Sequence, residues 1–146
     1  MMKNLQYEWI KGREYSGRIA VFLYEIDEIM IPTLSERLDI SEYAEKLSER
    51  AETLFVTGDI ASCSVYCNTE SAFISSIAVK KKFLMQHIGT ALMDEVKRYV
   101  RTKNCRCIQL EVNMDNIPAQ VFYKKSGFAC IRTKDGWQRM EYQFFS

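Results

Sequence analysis

Between residues 72 and 112 the apolar pattern changes its period twice. Residues 72–79 form a β-rich run. Ile88, Leu92, Val96 and Val100 then follow one helical face, with Asp94, Lys97, Arg98 and Arg101 on the other, and residues 107–112 alternate again as a strand. A strand, a helix and a strand in close succession run the two strands parallel, because only a crossover of this length returns the chain to the same end of a sheet. This unit restricts the chain to folds that contain both helices and a sheet.

The flanking segments extend the pattern. Ile19, Phe22, Leu23, Ile26 and Met30 recur at helical spacing with Glu25, Asp27 and Glu28 between them, and Pro32 stops that helix. Ser41 is the expected N-cap of a second helix carrying Tyr43, Ala44, Leu47 and Ala51. Residues 53–57, 60–67 and 72–79 read as an antiparallel meander. Residues 117–126 read as a short helix ended by Gly127, and residues 128–132 and 137–145 as closing strands. The expected fold class is therefore α/β (mixed α+β), with residues 1–146 forming a single domain.

Composition narrows the function classes. No apolar run approaches the roughly 18 residues of a membrane span, and residues 1–6 lack the apolar stretch of a secretory signal, so a cytoplasmic protein without a membrane partner is expected. Five cysteines without paired C-x-x-C sets or a histidine cluster predict no metal site, and read as small buried hydrophobes. A net charge of +1 and a pI near 7.6 argue against nucleic acid as a partner. The charge is uneven, however: residues 1–60 hold 12 acidic and 7 basic side chains, and residues 61–146 hold 7 and 13. That leaves room for an anionic ligand on the C-terminal half and a cationic one nearer the N-terminus.

Gln86-His87-Ile88-Gly89-Thr90-Ala91 lies where the strand has ended and the long helix begins. Backbone N–H groups are unpaired there and the helix dipole is positive, so anions are favoured. The chain has neither a G-x-x-x-x-G-K-[ST] loop nor G-x-G-x-x-G, which disfavours ATP and NAD sites. The order strand, [QR]-x-x-G-x-[GA], helix resembles motif A of the GCN5-related N-acetyltransferases (GNAT). A second stretch, residues 116–128, is similar to that family's N-x-x-A-x-x-x-Y-x-x-x-G-F signature through Asn116, Ala119, Tyr123, Gly127 and Phe128.

The resemblance implies a mostly antiparallel central sheet with splayed parallel strands 4 and 5, flanked by helices, and acetyl-CoA as co-substrate. The pantetheine arm would lie in the splay along Ile77, Ala78 and Val79. The diphosphate would rest on amides of Gln86, His87, Ile88, Gly89, Thr90 and Ala91, with the lysines at 80–82 adding favourable potential. Asn116, an N-cap on its own sequence context, would also meet the pantetheine arm. Tyr123 resembles the tyrosine that protonates the departing thiolate, a transfer from a phenol of pKa about 10 to a thiolate of a thiol of pKa about 8.5. A backbone N–H near Val79 would face the developing oxyanion. His87 lies in the presumed phosphate loop and is not a candidate base.

An alkyl amine of pKa about 10 must lose a proton before it can attack, so a base is needed. Ile108, Leu110 and Val112 share one strand face, which sends Gln109, Glu111 and Asn113 to the other. Glu111 is the candidate base, or else a solvated strand carboxylate. The expected acceptor is a small-molecule amine. Glu25, Asp27, Glu28, Glu36 and Asp39 would suit a cationic one, and Arg13, Arg18 and Arg37 a sugar-nucleotide amine. A protein or peptide amine is the alternative acceptor, and a non-catalytic acyl-CoA sensor the alternative to an enzyme. Trp137, Tyr142, Phe144 and Phe145 either complete a core or pair with a second copy in a homodimer.

Overall fold

The computed structural model describes residues 5–144. Among them, strands β1 (Tyr7–Ile10), β2 (Glu52–Val56), β3 (Ala61–Tyr66), β4 (Ser71–Val79), β5 (Cys107–Asn113), β6 (Ala129–Lys134) and β7 (Trp137–Gln143) form one sheet. Its order is β1-β2-β3-β4-β5-β7-β6. Every neighbouring pair is antiparallel except β4 and β5. The helices are α1 (Ser16–Ile26), α2 (Leu34–Arg37), α3 (Ile40–Arg50), α4 (Ile88–Thr102) and α5 (Ile117–Lys125). The mixed fold with one parallel pair is the expected one, and no helix of the described residues is long and apolar enough to cross a membrane.

Alternation along the strands feeds two cores. Leu54 and Val56 of β2 join Ile108 and Leu110 of β5 beneath Ile88, Leu92, Val96 and Val100 of α4. Phe55, between them in sequence, faces the other way and joins Ile19, Phe22 and Leu23 of α1 with Ala44 and Leu47 of α3. The sheet is thus the middle layer.

Four details depart from the sequence expectations. β1 was not anticipated: four residues carry too little alternation to stand out, and pairing with β2 defines the strand. α1 tightens after Ile26 into a 3-10 turn at Asp27–Ile29 instead of running on to Met30. The N-cap of α3 is Asp39, whose Oδ1 accepts from the Glu42 N–H at 2.9 Å, while Ser41 lies inside the first turn and its hydroxyl meets that of Tyr24. β7 ends at Gln143, and Phe145 lies outside the described residues.

The site-forming feature is the separation of β4 from β5. They pair only through Ser71↔Cys107, Ala72↔Ile108 and Phe73↔Gln109. Beyond that point β4 is bent by a bulge: Val65 of β3 faces Ile74, but Ser64 faces Ser76, so Ser75 is extra. The inserted residue shifts the parity of the strand. Ala72 and Ile74 reach the α4-side core before it, Ile77 and Val79 after it. The Tyr43 hydroxyl, from α3, donates to the Ser75 carbonyl at 3.0 Å and also meets the Ser75 hydroxyl.

Candidate active site

The separation opens a cavity of about 660 Å³. Ser75, Ser76 and Ile77 of β4 form one wall, Glu111 and Asn113 of β5 with Asn116 and Tyr123 the other, and Arg37, Arg132, Lys134 and Trp137 line its mouth. Arg37 of α2 stacks on Trp137 of β7, 4.7 Å from the ring centroid, so the two sides of the mouth touch. Lys134 and Trp137 flank Asp135 and Gly136, whose φ values of 52° and 84° make the two-residue turn that joins β6 to β7.

The backbone of β4 presents free groups to this cavity. Lys80 N donates to Ile60 O at 2.8 Å. In an antiparallel ladder, residues that exchange hydrogen bonds alternate with residues that do not. Ala78 and Ser76, opposite Ser62 and Ser64, therefore bond to β3, whereas Ile77 and Val79 turn their N–H and C=O groups toward the side that β5 has left. Of the three residues expected to meet a pantetheine arm, Ile77 and Val79 have backbone groups to offer. Ala78 does not, and its side chain packs toward α1 and α3.

The start of α4 is uncapped. Its N-cap, His87, is left-handed (φ 61°) and makes no side-chain cap; Met85 is also left-handed (φ 65°). Ala91 N donates to His87 O at 3.2 Å, so the amides without a helical partner are those of Ile88, Gly89 and Thr90. Ile88 can contribute only its backbone, because its side chain is in the core. A Cβ at Gly89 would lie 3.5 Å from the Phe122 ring and 3.8 Å from Val79, ordinary contact distances. Lys80 is drawn away, its ammonium 2.8 Å from Glu25, while Lys81 and Lys82 are exposed.

Tyr123 lies on the cavity wall among Phe122, Phe128 and the α4-side core. Its hydroxyl makes no hydrogen bond among the described residues. Burial, with a smaller contribution from Cys63, pushes the phenol above its ordinary pKa, so it stays protonated through neutral pH. Asn116 caps α5, its Oδ1 accepting from Ala119 N at 3.2 Å, which leaves Nδ2 as a donor on the cavity side. Gln120 was missed in the sequence. It is buried, donates to the carbonyls of Asn113 and Met114 at 3.1 and 2.9 Å, and accepts from Gln138, which fixes the loop that presents Asn116.

Glu111 is exposed and faces the cavity as its strand parity predicts, but it is not free. Arg139, its cross-strand partner, places Nη2 3.3 Å from Glu111 Oε2 and Nη1 3.0 Å from Gln109 Oε1. Gln109 in turn donates to Glu141 at 2.8 Å, and that bond, followed by one from Gln143, holds the Glu141 carboxyl below its usual range. Arg139 Nε is buried without a partner among the described residues. Such a set can bind an anion on α4, align an extended chain along β4, donate a proton from Tyr123 and accept one at Glu111.

The model described as the acetyltransferase (GNAT) family matches residues 22–128. The chain belongs to the GNAT family. Among curated GNAT-like relatives, a putative [ribosomal protein bS18]-alanine N-acetyltransferase of Bacillus subtilis is 34% identical over 65 residues, 44% of this chain and 43% of that protein. N-alpha-acetyltransferase 60 of Danio rerio is 35% identical over 74 residues, 49% of this chain and 31% of that one. The chain thus spans less than half the length of these relatives. In fold it is similar to the paiA N-acetyltransferase of Thermoplasma acidophilum, solved in complex with coenzyme A, with a TM-score of 0.74 and 16% identity over 95% of this chain and 99% of that one.

Within this GNAT fold, four of the five acidic residues expected to shape an acceptor site are occupied elsewhere, Glu28 being the exception. Glu25 pairs with Lys80, Asp27 accepts from Ser35 N, Glu36 accepts from Thr33, and Asp39 caps α3. Arg13 and Arg18 are paired with Glu49 and with Asp59 and Glu8. Arg37 alone of the named arginines lines the cavity. Tyr142 and Phe144 pack on the α4-side core, and Trp137 lines the cavity beneath Arg37, so these aromatics are used within the chain.

Proposed function

We propose that residues 1–146 act as a single catalytic domain that transfers acetyl from acetyl-CoA directly to the α-amine of a polypeptide. The observation that carries the reading is the cavity between β4 and β5, with the outward backbone of Ile77 on one wall and Tyr123 on the other, and the outward backbone of Val79 continuing the open edge of β4 beyond it. The uncapped amides of Ile88, Gly89 and Thr90 fit a diphosphate, and the open edge of β4 fits an extended pantetheine arm. Bound acetyl-CoA supplies the activated acetyl group. Ile77 and Val79 would align the arm, Asn116 Nδ2 would donate to it, and a backbone N–H near Val79 would face the developing oxyanion charge. Tyr123 would hold the proton destined for the leaving sulfur, and burial keeps its hydroxyl protonated until a thiolate forms beside it.

The acceptor must reach the cavity as a neutral amine. A polypeptide α-amine has a pKa of about 8, so roughly a tenth is neutral at pH 7, against a few in ten thousand for a lysine-like amine. The α-amine therefore asks less of Glu111, one of whose oxygens is already held by Arg139. The relatives named for acetylating an alanine of a ribosomal protein and an N-alpha position support the same acceptor over the small-molecule amine expected from sequence.

The test is CoA release with short peptides bearing a free or an acetylated N-terminus, beside polyamines, aminosugars and sugar-nucleotide amines. Turnover of free-amine peptides alone is the expected result. Turnover confined to small amines would return the acceptor to that class, and acetyl-CoA binding without any turnover would make the chain a sensor.

A further inference from the structure

The mouth of the cavity carries cationic charge that the described residues do not neutralise. Arg37, Arg132 and Lys134 line it, and none has a carboxylate partner among the described residues. Of the two acids that line the same cavity, Glu111 is taken by Arg139, which leaves Asp135. Arg132 stands directly opposite Arg139 in the β6–β7 ladder, and Lys134 opposite Trp137. Residues paired this way share a face of the sheet, and like charges set opposite each other cost stability. The fold therefore gathers cations at the mouth of the cavity that the proposed acceptor would enter, with only Arg139 among them offset by a carboxylate. The adjoining Arg139 Nε is buried and unpartnered. An anion seated at the mouth would offset the charge of Arg37, Arg132 and Lys134.

We propose, resting on the polypeptide α-amine reading above, that the acceptor is an acidic N-terminus: its amine reaches Glu111 while carboxylate side chains at its next positions seat on Arg37, Arg132 and Lys134. The Asp135-Gly136 turn holds two of these cations on a short, defined hairpin, and Met114 N donates to Gly136 O at 2.8 Å, tying that hairpin to the loop before Asn116. The cationic mouth and the reacting wall are thus fixed relative to each other. This placement selects among peptides by charge, since each like-charged residue on the acceptor would add to the existing repulsion.

Three peptides of equal length and identical first residue, with Glu-Glu, Gln-Gln or Lys-Lys at positions two and three, decide the matter through kcat/KM for CoA release. Free glutamate and aspartate run alongside. The Glu-Glu peptide should exceed Gln-Gln by about tenfold and Lys-Lys by more, with the spread shrinking as salt is raised. The double variant Arg132→Gln, Lys134→Gln lies on an exposed edge strand outside both cores, and it should bring the Glu-Glu to Gln-Gln ratio near one. Peptides turned over without regard to charge, or a ratio that survives in the double variant, would sink the acidic acceptor and leave the α-amine reading intact. Peptides not turned over at all, or outrun by the free dicarboxylic amino acids, would overturn both.

Discussion

Tyr123 brings a hydroxyl to the cavity with no partner for it among the described residues, in surroundings that are mostly ring and aliphatic carbon. Removing that oxygen should cost the fold nothing. Tyr123→Phe is expected to melt with the parent and to lose roughly a hundredfold or more in kcat, the range for a lost general acid; calorimetry and CoA release read the two halves separately. Tyr43 is the opposite case, a tyrosine whose hydroxyl holds the fold. Burial pushes its phenol up to about 12, partly offset by its bond to Ser75. The folded value lies above the unfolded one, so this contribution is fully present below pH 10 and is lost as pH rises toward 12. Urea unfolding should show about 1.4 kcal/mol less stability from this group at pH 11 than at pH 8. In Tyr43→Phe that part of the alkaline decline should vanish, while stability at pH 8 falls by about 1 kcal/mol for the lost donor. Strand parity made the facing of Glu111 legible in the sequence. Its pairing with Arg139 was not, because that depends on the register between β5 and β7, residues 28 positions apart. The acidic residues of 25–39 misled for a similar reason: which of them cap helices or pair with Lys80 is decided by tertiary placement.

Among the elements, the β4-α4-β5 unit and α5 were readable from periodicity and from two short motifs, because both record local geometry. The bulge at Ser75 was not read, although its trace is present: the apolar positions of β4 switch from 72 and 74 to 77 and 79, a change of parity that only an inserted residue reconciles with one continuous core. The glycine at the start of α4 gives the cleanest test of that element. A methyl at Gly89 meets only ordinary contacts and sits in a helix, where alanine is favoured by up to about 1 kcal/mol. Gly89→Ala should therefore fold at least as well as the parent, yet bind acetyl-CoA about tenfold more weakly in calorimetric titration, since an added side chain hinders the approach of a diphosphate to the uncapped amides of Ile88, Gly89 and Thr90. Equal affinity would mean that the turn is only a helix start.

At the scale of the whole molecule, helices cover the two faces of the sheet unequally. α1 and α3 cover one face beside β2 and β4, while the polar row of Gln109, Arg139 and Glu141 on that same face, toward β5 and β7, has no helix of the described residues packed in either core above it. The cavity lies where the covered and uncovered parts meet. A ligand seated there touches both halves of the sheet, and it should stabilise the whole molecule. At a hundredfold excess over Kd, acetyl-CoA is expected to add about 2.7 kcal/mol, or about 5 to 10 °C in Tm. The interrupted ladder has a further outcome, readable amide by amide in deuterium exchange. Without ligand, Ser76 and Ala78 should exchange slowly and Ile77 and Val79 quickly, so that the centre of the sheet carries an every-other-residue stripe of fast-labelling sites usually found only at a rim. Saturating acetyl-CoA should erase the stripe, and uniform protection before it is added would mean that these two amides are not turned outward.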